Sequence, residues 1–271
     1  MPDLEANKTL ATRYLQAWAT RDAAEFEAIL SPDFADYMMG KRRTRTELLA
    51  DAADRSLNEI SQEVEAILAE GDKVAVKYTT SAVLMATGQP LKFTGMFILT
   101  VAGGQVTGGW GQFDRFGIRE QLAAGASSST PVAQFPPRES GGNTSSGDSK
   151  ELCRRYFQAW NSGDLALFEE LLAPNFIDHM MGQPRTRAEL FEQVASQAAN
   201  RRLRDVKPRV DVLMAEGDLA ALHYTINAID TTTSSPVSWT GMFIVTTAEG
   251  RVTGGWGERD TVTIREQLAA R

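Results

Sequence analysis

The amino-acid sequence repeats itself once, at an offset of 142 residues that later becomes 146. Residues 34–40 (FADYMMG) match residues 176–182 (FIDHMMG), and residues 107–111 (TGGWG) recur unchanged at residues 253–257. The units of solenoid proteins are about 20–50 residues long, whereas this repeat is about 120 residues. The sequence therefore predicts two copies of one folded domain.

The predicted boundaries follow from the segment between the two copies. We place domain 1 at residues 1–125, a linker at 126–147 and domain 2 at 148–271. The linker is dominated by Ser, Gly, Pro and Thr, a composition that buries too little apolar surface to offset the entropy of ordering. We expect a mobile tether that keeps the two domains close together.

Charge and composition exclude several classes of function. The net charge of −7 and the pI of 5.1 argue against nucleic acid or an anionic membrane as partner. A single cysteine excludes an internal disulfide, and two histidines argue against a multi-histidine metal site. No apolar run approaches the length of a membrane span, and the acidic N-terminus lacks the features of a secretion signal. We expect a cytoplasmic protein.

Each copy is predicted to form helices first and strands later. Leu10, Tyr14 and Trp18 fall at helical spacing, and residues 44–47 form a capping-box pattern for a later helix. From residue 64 onward the apolar period becomes two, which indicates antiparallel hairpins. The predicted fold class is α+β: a curved antiparallel sheet with helices on one face, present twice.

The first candidate for chemistry is the end of the last strand. Trp110 and Asp114 share one strand face in copy one, as do Trp256 and Asp260 in copy two. On an apolar concave face, such a carboxylate loses hydration and becomes a general base near neutral pH. The alternative is that each aspartate caps the short helix that follows.

The second candidate is the segment after the second helix. It carries an acid, a phenol or imidazole, and two methionines, and it could line the mouth of a pocket. The alternative is that the methionines fill the core and neighbours satisfy the polar groups. The candidate residues are Asp36, Tyr37, Met39, Asp178, His179 and Met181. The arginines at 43, 45, 185 and 187 could hold an anion at a helix start, or be solvated there.

These motifs resemble the SnoaL-like polyketide cyclase family of the nuclear-transport-factor-2-like superfamily. The resemblance is carried by FADYMMG and FIDHMMG, by residues 93–97 (FTGMF), by TGGW with an aspartate four residues after its tryptophan, and by REQL at 119–122 and 265–268. It implies a cone-shaped domain and a cofactor-free reaction. It also implies that Asp114 or Asp260 removes a carbon-bound proton, with Phe97 and Phe243 among the pocket walls.

The implied function is a cyclase or isomerase acting on a small hydrophobic polyketide- or terpenoid-like intermediate. An epoxide hydrolase or epoxide-opening cyclase of the same fold is one alternative, and a non-catalytic binder of a hydrophobic metabolite is another. The strand at residues 79–83 lacks a histidine that many relatives carry, which argues against an aldol cyclase. Relatives pair through their sheets, so the two repeats are expected to form a pseudo-dimer within one chain.

Overall fold

The computed structural model describes residues 2–124, 144–199 and 202–269. The chain divides into two compact units at residue 132, which we call domain 1 and domain 2. Most of the predicted linker, residues 126–143, lies outside the described residues. Its last residues do not belong to a linker, because helix α5 already begins at Ser146 with Ser145 as its N-cap.

Within its described residues, domain 1 has four helices and six strands. They are α1 (Leu4–Thr20), α2 (Ala23–Ile29), β1 (Leu30–Met38), β2 (Lys41–Thr44), α3 (Arg45–Ala53), β3 (Leu57–Glu70), β4 (Lys73–Leu84), β5 (Gln89–Ala102), β6 (Gln105–Phe113) and α4 (Arg115–Ala124).

The described part of domain 2 repeats this order of elements. Its elements are α5 (Ser146–Ser162), α6 (Leu165–Leu171), β7 (Leu172–Met180), β8 (Gln183–Thr186), α7 (Arg187–Ala199), β9 (Leu203–Glu216), β10 (Leu219–Asp230), β11 (Pro236–Ala248), β12 (Arg251–Arg259) and α8 (Thr261–Ala269).

Each domain contains one six-stranded mixed sheet. The strand order is β2-β1-β6-β5-β4-β3 in domain 1 and β8-β7-β12-β11-β10-β9 in domain 2. The long strands pair antiparallel as predicted, but β1 runs parallel to β6, and β7 runs parallel to β12. The predicted α+β fold class is confirmed, and this one parallel pair makes each sheet mixed. The parallel pair arises because β1 directly follows a helix and enters the sheet beside the last strand.

Local sequence signals explain where the helices begin. Thr44 and Glu47 form the predicted capping box of α3, and Asp22 accepts a hydrogen bond from the backbone of Glu25 at the start of α2. These contacts satisfy backbone N–H groups that have no partner inside the helix. Helix α2 ends at Ile29, and Pro32 lies within β1.

One face of each sheet packs against the helices and forms the core. In domain 1, Leu10, Tyr14 and Leu15 of α1 are buried together with Val76 and Phe97 of the sheet. Side chains alternate along a strand, so every second residue of β4 and β5 faces α1. Domain 2 builds its core in the same way around α5. In the described ranges, no helix is long and apolar enough to cross a bilayer.

Candidate active site

A cavity of about 1010 Å³ opens into domain 2 between the helices and the sheet. Much of its wall is aromatic, and its size is at the upper end of the usual range for small-molecule sites. Its aromatic lining residues are Tyr156, Phe157, Trp160, Tyr224, Trp239, Phe243 and Trp256. Such a lining fits a flat, ring-bearing ligand, since aromatic side chains bury much apolar area at low entropic cost.

A buried cluster of an acid, a base and a phenol forms part of this wall. Asp178 of β7 and Arg185 of β8 are directly opposite residues of one hairpin, so their side chains share a face of the sheet. Arg185 donates from Nε to Asp178 Oδ1 at 2.9 Å and from Nη2 to Asp178 Oδ2. Tyr156 of α5 donates its hydroxyl hydrogen to Asp178 Oδ2 at 3.0 Å.

Two further side chains hold the guanidinium of Arg185 in place. Trp160 stacks beneath it, with the Arg185 Cζ atom 4.7 Å from the ring centroid. Gln193 of α7 accepts a hydrogen bond from Nη1 at 2.5 Å. Glu189 and Asp205 also line the cavity, but both are exposed, so Asp178 is the buried carboxylate of the three.

Domain 1 carries the corresponding residues, but in its described part Tyr14 forms no hydrogen bond to Asp36 as Tyr156 does to Asp178. Arg43 donates to both oxygens of Asp36, at 3.1 and 2.6 Å, and its Cζ atom lies 5.3 Å from the ring centroid of Trp18. Tyr14 stands where domain 2 has Tyr156. A second difference is Asp51, whose carboxylate accepts a hydrogen bond from Arg43 Nη1 at 3.0 Å and occupies the position of Gln193. Arg43 therefore bridges two carboxylates.

Burial changes the proton affinities in both clusters. Burial, and then the negative charge of Asp36, raise the pKa of Tyr14 to about 12. Burial and the charge of Asp178 raise the pKa of Tyr156 well above its usual value. Burial also raises the pKa of Asp36, although Arg43 opposes this. Both phenols therefore stay protonated at neutral pH, and Tyr156 donates its hydrogen bond to Asp178 in this state.

The strand-end aspartates occupy helix caps. Asp114 Oδ1 accepts a hydrogen bond from the Gly117 backbone at 2.8 Å, and Asp260 Oδ1 accepts one from the Thr263 backbone at 3.0 Å. This is the geometry of an N-cap. Asp260 is buried but is not among the residues that line the cavity. Burial raises the pKa of Asp114, which its cap hydrogen bond opposes. The geometry corresponds to the helix-cap alternative.

The structure separates side chains that the sequence analysis placed together. Asp178 faces Tyr156, whereas the next residue, His179, points to the opposite face of the strand, in register with Trp256. His179 is buried and does not line the cavity. Tyr37 of domain 1 is 43% exposed on the corresponding face, away from Asp36. The predicted pairing of acid and imidazole in one pocket mouth is therefore corrected.

The two tryptophans of the last strands also lie on that opposite face. Trp110 lies opposite Ile98 in the sheet, so both side chains point to the same face. The neighbouring residue on that strand, Phe97, points to the other face and packs against Tyr14 of α1. Trp256 borders the cavity, but the same alternation directs its side chain away from Phe243. The Trp110 side chain therefore lies on the face of the sheet opposite to Phe97.

The remaining predicted binding residues lie near the helix-facing side. Phe243 lines the cavity and contacts Tyr156 edge-on, with 5.6 Å between ring centroids. Met181 also lines the cavity, at the turn between β7 and β8, and accepts a hydrogen bond from Thr261. In domain 1, Phe97 and Met39 are buried. Met39 and Met181 both adopt left-handed backbone angles, with φ of 52°.

The sequence analysis missed the acid–arginine–phenol cluster as a unit. Arg43 and Arg185 were considered only as anion holders or solvated residues at a helix start, whereas both are buried against an aspartate. Tyr14 and Tyr156 were considered only for their helical spacing. One signal was present: all three residue types recur at the same offset of 142 in both copies.

Two matches to known families span most of the chain. The SnoaL-like polyketide cyclase family matches residues 8–122, and a SnoaL-like domain family matches residues 153–254. Together with the paired mixed sheets and helices, these matches define two tandem domains of the nuclear-transport-factor-2-like fold. The chain belongs to the SnoaL-like family, with one family domain in each repeat.

Solved structures of this fold align with one repeat at a time. IdmH, a proposed polyketide cyclase from Streptomyces antibioticus, is 24% identical; the match covers 45% of this chain and 98% of that one, with a TM-score of 0.40. An LEH-like epoxide hydrolase of M. tuberculosis is 20% identical, covers 46% of this chain and 94% of its own, and has a TM-score of 0.40.

AclR, a proposed hydroxylase from Streptomyces galilaeus, is 22% identical and also has a TM-score of 0.40; the match covers 46% of this chain and 85% of that one. No curated protein matches the sequence. At these identities and TM-scores, the likenesses to solved structures carry no argument about the reaction.

Proposed function

We propose that domain 2 is a cyclase or isomerase that uses side-chain acid–base chemistry on a small hydrophobic, polyketide- or terpenoid-like molecule. The observation that carries this proposal is the buried Asp178 carboxylate in the wall of a large aromatic cavity. A titratable group held in a cavity of this kind is the usual setting for general acid–base catalysis. The SnoaL-like domain match of domain 2, together with the polyketide cyclase match of its repeat in domain 1, supports the reaction class.

Asp178 is assigned as the proton acceptor. An ionised carboxylate offers about four acceptor positions. Oδ2 receives hydrogen bonds from Tyr156 and Arg185, whereas Oδ1 receives one from Arg185. One position on Oδ1 therefore remains for a substrate proton. Tyr156 and Arg185 hold the carboxylate in orientation, which is the positioning that such catalysis requires.

The proposed step starts from a bound ketone with a hydrogen on the carbon beside its carbonyl. Asp178 takes this proton, and the C–H electron pair forms an enolate. Return of the proton to a different carbon isomerises the molecule. Alternatively, the enolate carbon adds to a conjugated carbon–carbon double bond of the same molecule and closes a ring, and the new enolate formed takes the proton back from Asp178. Side chains of this chain supply every proton transfer in the step.

Proton exchange of a simple ketone tests this proposal. We use 2-tetralone, a two-ring ketone, and follow loss of its α-hydrogens in D₂O by NMR. The wild type is expected to accelerate exchange over buffer, and Asp178→Asn to lower the accelerated rate by about 10²–10⁴-fold, the usual contribution of one acid–base group. Asp36→Asn, the matching change in domain 1, is the control and should leave most of the exchange intact.

Other outcomes separate the alternatives. Full exchange in Asp178→Asn with loss in Asp260→Asn would contradict the assignment and restore Asp260 as the base. Absence of exchange in the wild type, together with binding of 2-tetralone, would favour a non-catalytic binder.

Epoxide hydrolysis is a second candidate, and one observation favours it in domain 1. Opening an epoxide with water needs one group to activate the water and another to protonate the leaving oxygen. Asp36 and Asp51 flank Arg43 there, whereas domain 2 has Gln193 in place of the second acid. Hydrolysis of styrene oxide that is lost in Asp51→Asn would support this second activity.

A further inference from the structure

One arginine in the cavity wall of domain 2 has no hydrogen-bond or ion-pair partner among the described residues. Arg259 is the last residue of β12, where the corresponding residue of domain 1 is Phe113. It lies in the cavity wall, and its Nε atom is buried with no hydrogen-bond partner. No residue in the described ranges forms a hydrogen bond or ion pair with its guanidinium.

The position of Arg259 follows from the sheet register. Tyr224 of β10, Gly241 of β11 and Arg259 lie opposite one another across three strands and share the helix-facing side. A Cβ atom on Gly241 would come within 2.4 Å of the Tyr224 hydroxyl, so the tyrosine lies across the glycine toward β12. The charge of Arg259 acts on Tyr224, since it lowers the pKa of that phenol against the larger opposing effect of burial.

Three other arginines in the cavity wall are already paired with carboxylates. Arg185 is bound to Asp178, Arg202 to Asp230, and Arg204 to Asp205. A partly buried cation without a counter-charge costs free energy in the folded state, and an anionic ligand atom would recover it. An arginine is suited to this role, because its planar fork binds two oxygens of one anionic group.

We propose that Arg259 binds an anionic oxygen group, such as a carboxylate, carried by a ring-bearing ligand in the domain 2 cavity. The aromatic wall would hold the rings while Arg259 fixes which end of the ligand points toward β12. Phe113 removes this feature from domain 1, so the two repeats would differ in the ligands they accept. This assignment rests on the proposed cavity site.

Two fluorescent probes with the same ring skeleton test the assignment on the full chain. One is 8-anilinonaphthalene-1-sulfonate, which carries an anionic group, and the other is N-phenyl-1-naphthylamine, which is neutral. Arg259→Gln should raise the dissociation constant of the sulfonate about tenfold or more, as loss of a charge-assisted hydrogen bond predicts. Binding of the neutral probe should change little, and this also shows that the variant keeps an intact cavity.

Arg204→Gln is the matched control, because it removes the same charge at the same cavity from an arginine already paired with Asp205. It should leave binding of both probes nearly unchanged. Arg259→Lys, which keeps the charge but loses the planar fork, should bind the sulfonate with intermediate affinity.

Three results would overturn the assignment. Equal weakening of both probes in Arg259→Gln would mean that the arginine only shapes the cavity. Equal weakening of the sulfonate by Arg204→Gln would mean that only net charge matters. Unchanged sulfonate binding in Arg259→Gln would show that Arg259 does not bind the anionic group. It would not contradict the cavity as the ligand site. If the wild type binds neither probe, the proposed cavity function fails as well.

Discussion

At the scale of single residues, the two repeats differ in how they neutralise one buried arginine. Arg43 faces two carboxylates, Asp36 and Asp51, whereas Arg185 faces one carboxylate and the amide of Gln193. Removing one member of a buried ion pair leaves the other charge unpaired, which costs far more than the loss of an exposed pair. The loss of folding stability caused by replacing this aspartate should therefore differ between the repeats.

Asp178→Asn is expected to destabilise domain 2 by about 3 kcal/mol, because Arg185 then has no charged partner. Asp36→Asn should destabilise domain 1 by about 1 kcal/mol less, since Arg43 keeps Asp51. Native-state hydrogen exchange read by mass spectrometry measures each domain separately within the full chain. Equal losses in the two domains would show that Asp51 does not compensate.

A second prediction at this scale concerns Asp114. Burial raises its pKa in the folded state, so the folded protein holds this proton more tightly than the unfolded chain does. Its contribution to stability is therefore greatest below the unfolded pKa and is lost as pH rises through the raised folded value. Asp114→Asn should remove this part of the pH dependence while keeping the N-cap acceptor.

Urea unfolding of domain 1 at about pH 4, near the unfolded pKa, and at pH 7 measures this effect. Asp114→Asn should be at least as stable as the wild type at pH 7. Asp114→Ala should be about 1 kcal/mol less stable than Asp114→Asn, since it loses the cap. An Asn variant as unstable as the Ala variant would mean that Asp114 stabilises domain 1 through its charge.

At the scale of elements, close approach between neighbouring strands shapes the candidate site. Gly241 has no side chain, so the Tyr224 ring can lie over β11; Gly95 and Tyr78 repeat this arrangement in domain 1. Gly241→Ala should destabilise domain 2 by about 1–3 kcal/mol, the usual cost of overpacking. In a Tyr224→Ala background, where the clashing ring is absent, the same change should cost little. An equal cost in both backgrounds would contradict the steric explanation.

Elements with a strong local signal could be predicted from the sequence. The capping pair Thr44 and Glu47 determines where α3 begins without help from distant residues. The strand from Leu30 could not be predicted in this way, because it contains a proline and its place in the sheet depends on parallel pairing with β6 from far along the chain. Propensity does not specify such long-range pairing.

At the scale of the whole molecule, the duplication was readable from the sequence and is confirmed by two family matches. The candidate site was predictable only in part. Asp178 and Phe243 were identified and line the cavity, while His179 was placed on the wrong side of β7. The face on which His179 lies depends on the register of β7 in the sheet, because a shift of one residue moves every side chain to the other face.

The pairing of the two repeats within one chain stays a prediction. If the two repeats of one chain pair with each other, the protein in solution should have the mass of one chain, 29.7 kDa. Sedimentation velocity over a range of concentrations measures this mass. A stable species of about twice that mass would mean that the chain pairs with a second copy of itself.

Cytoplasmic location also stays a prediction, which fractionation of the source cells would check.

Both the proposed reaction and the proposed role of Arg259 require that the domain 2 cavity is the ligand site. Titration with N-phenyl-1-naphthylamine tests it directly in the wild type and two matched variants. Ile264→Trp narrows the cavity from α8, and Ile118→Trp makes the same change at the corresponding position of α4 in domain 1. We predict one bound probe, with affinity at least about tenfold weaker in Ile264→Trp and unchanged in Ile118→Trp. Unchanged affinity in Ile264→Trp, or loss only in Ile118→Trp, would contradict the claim.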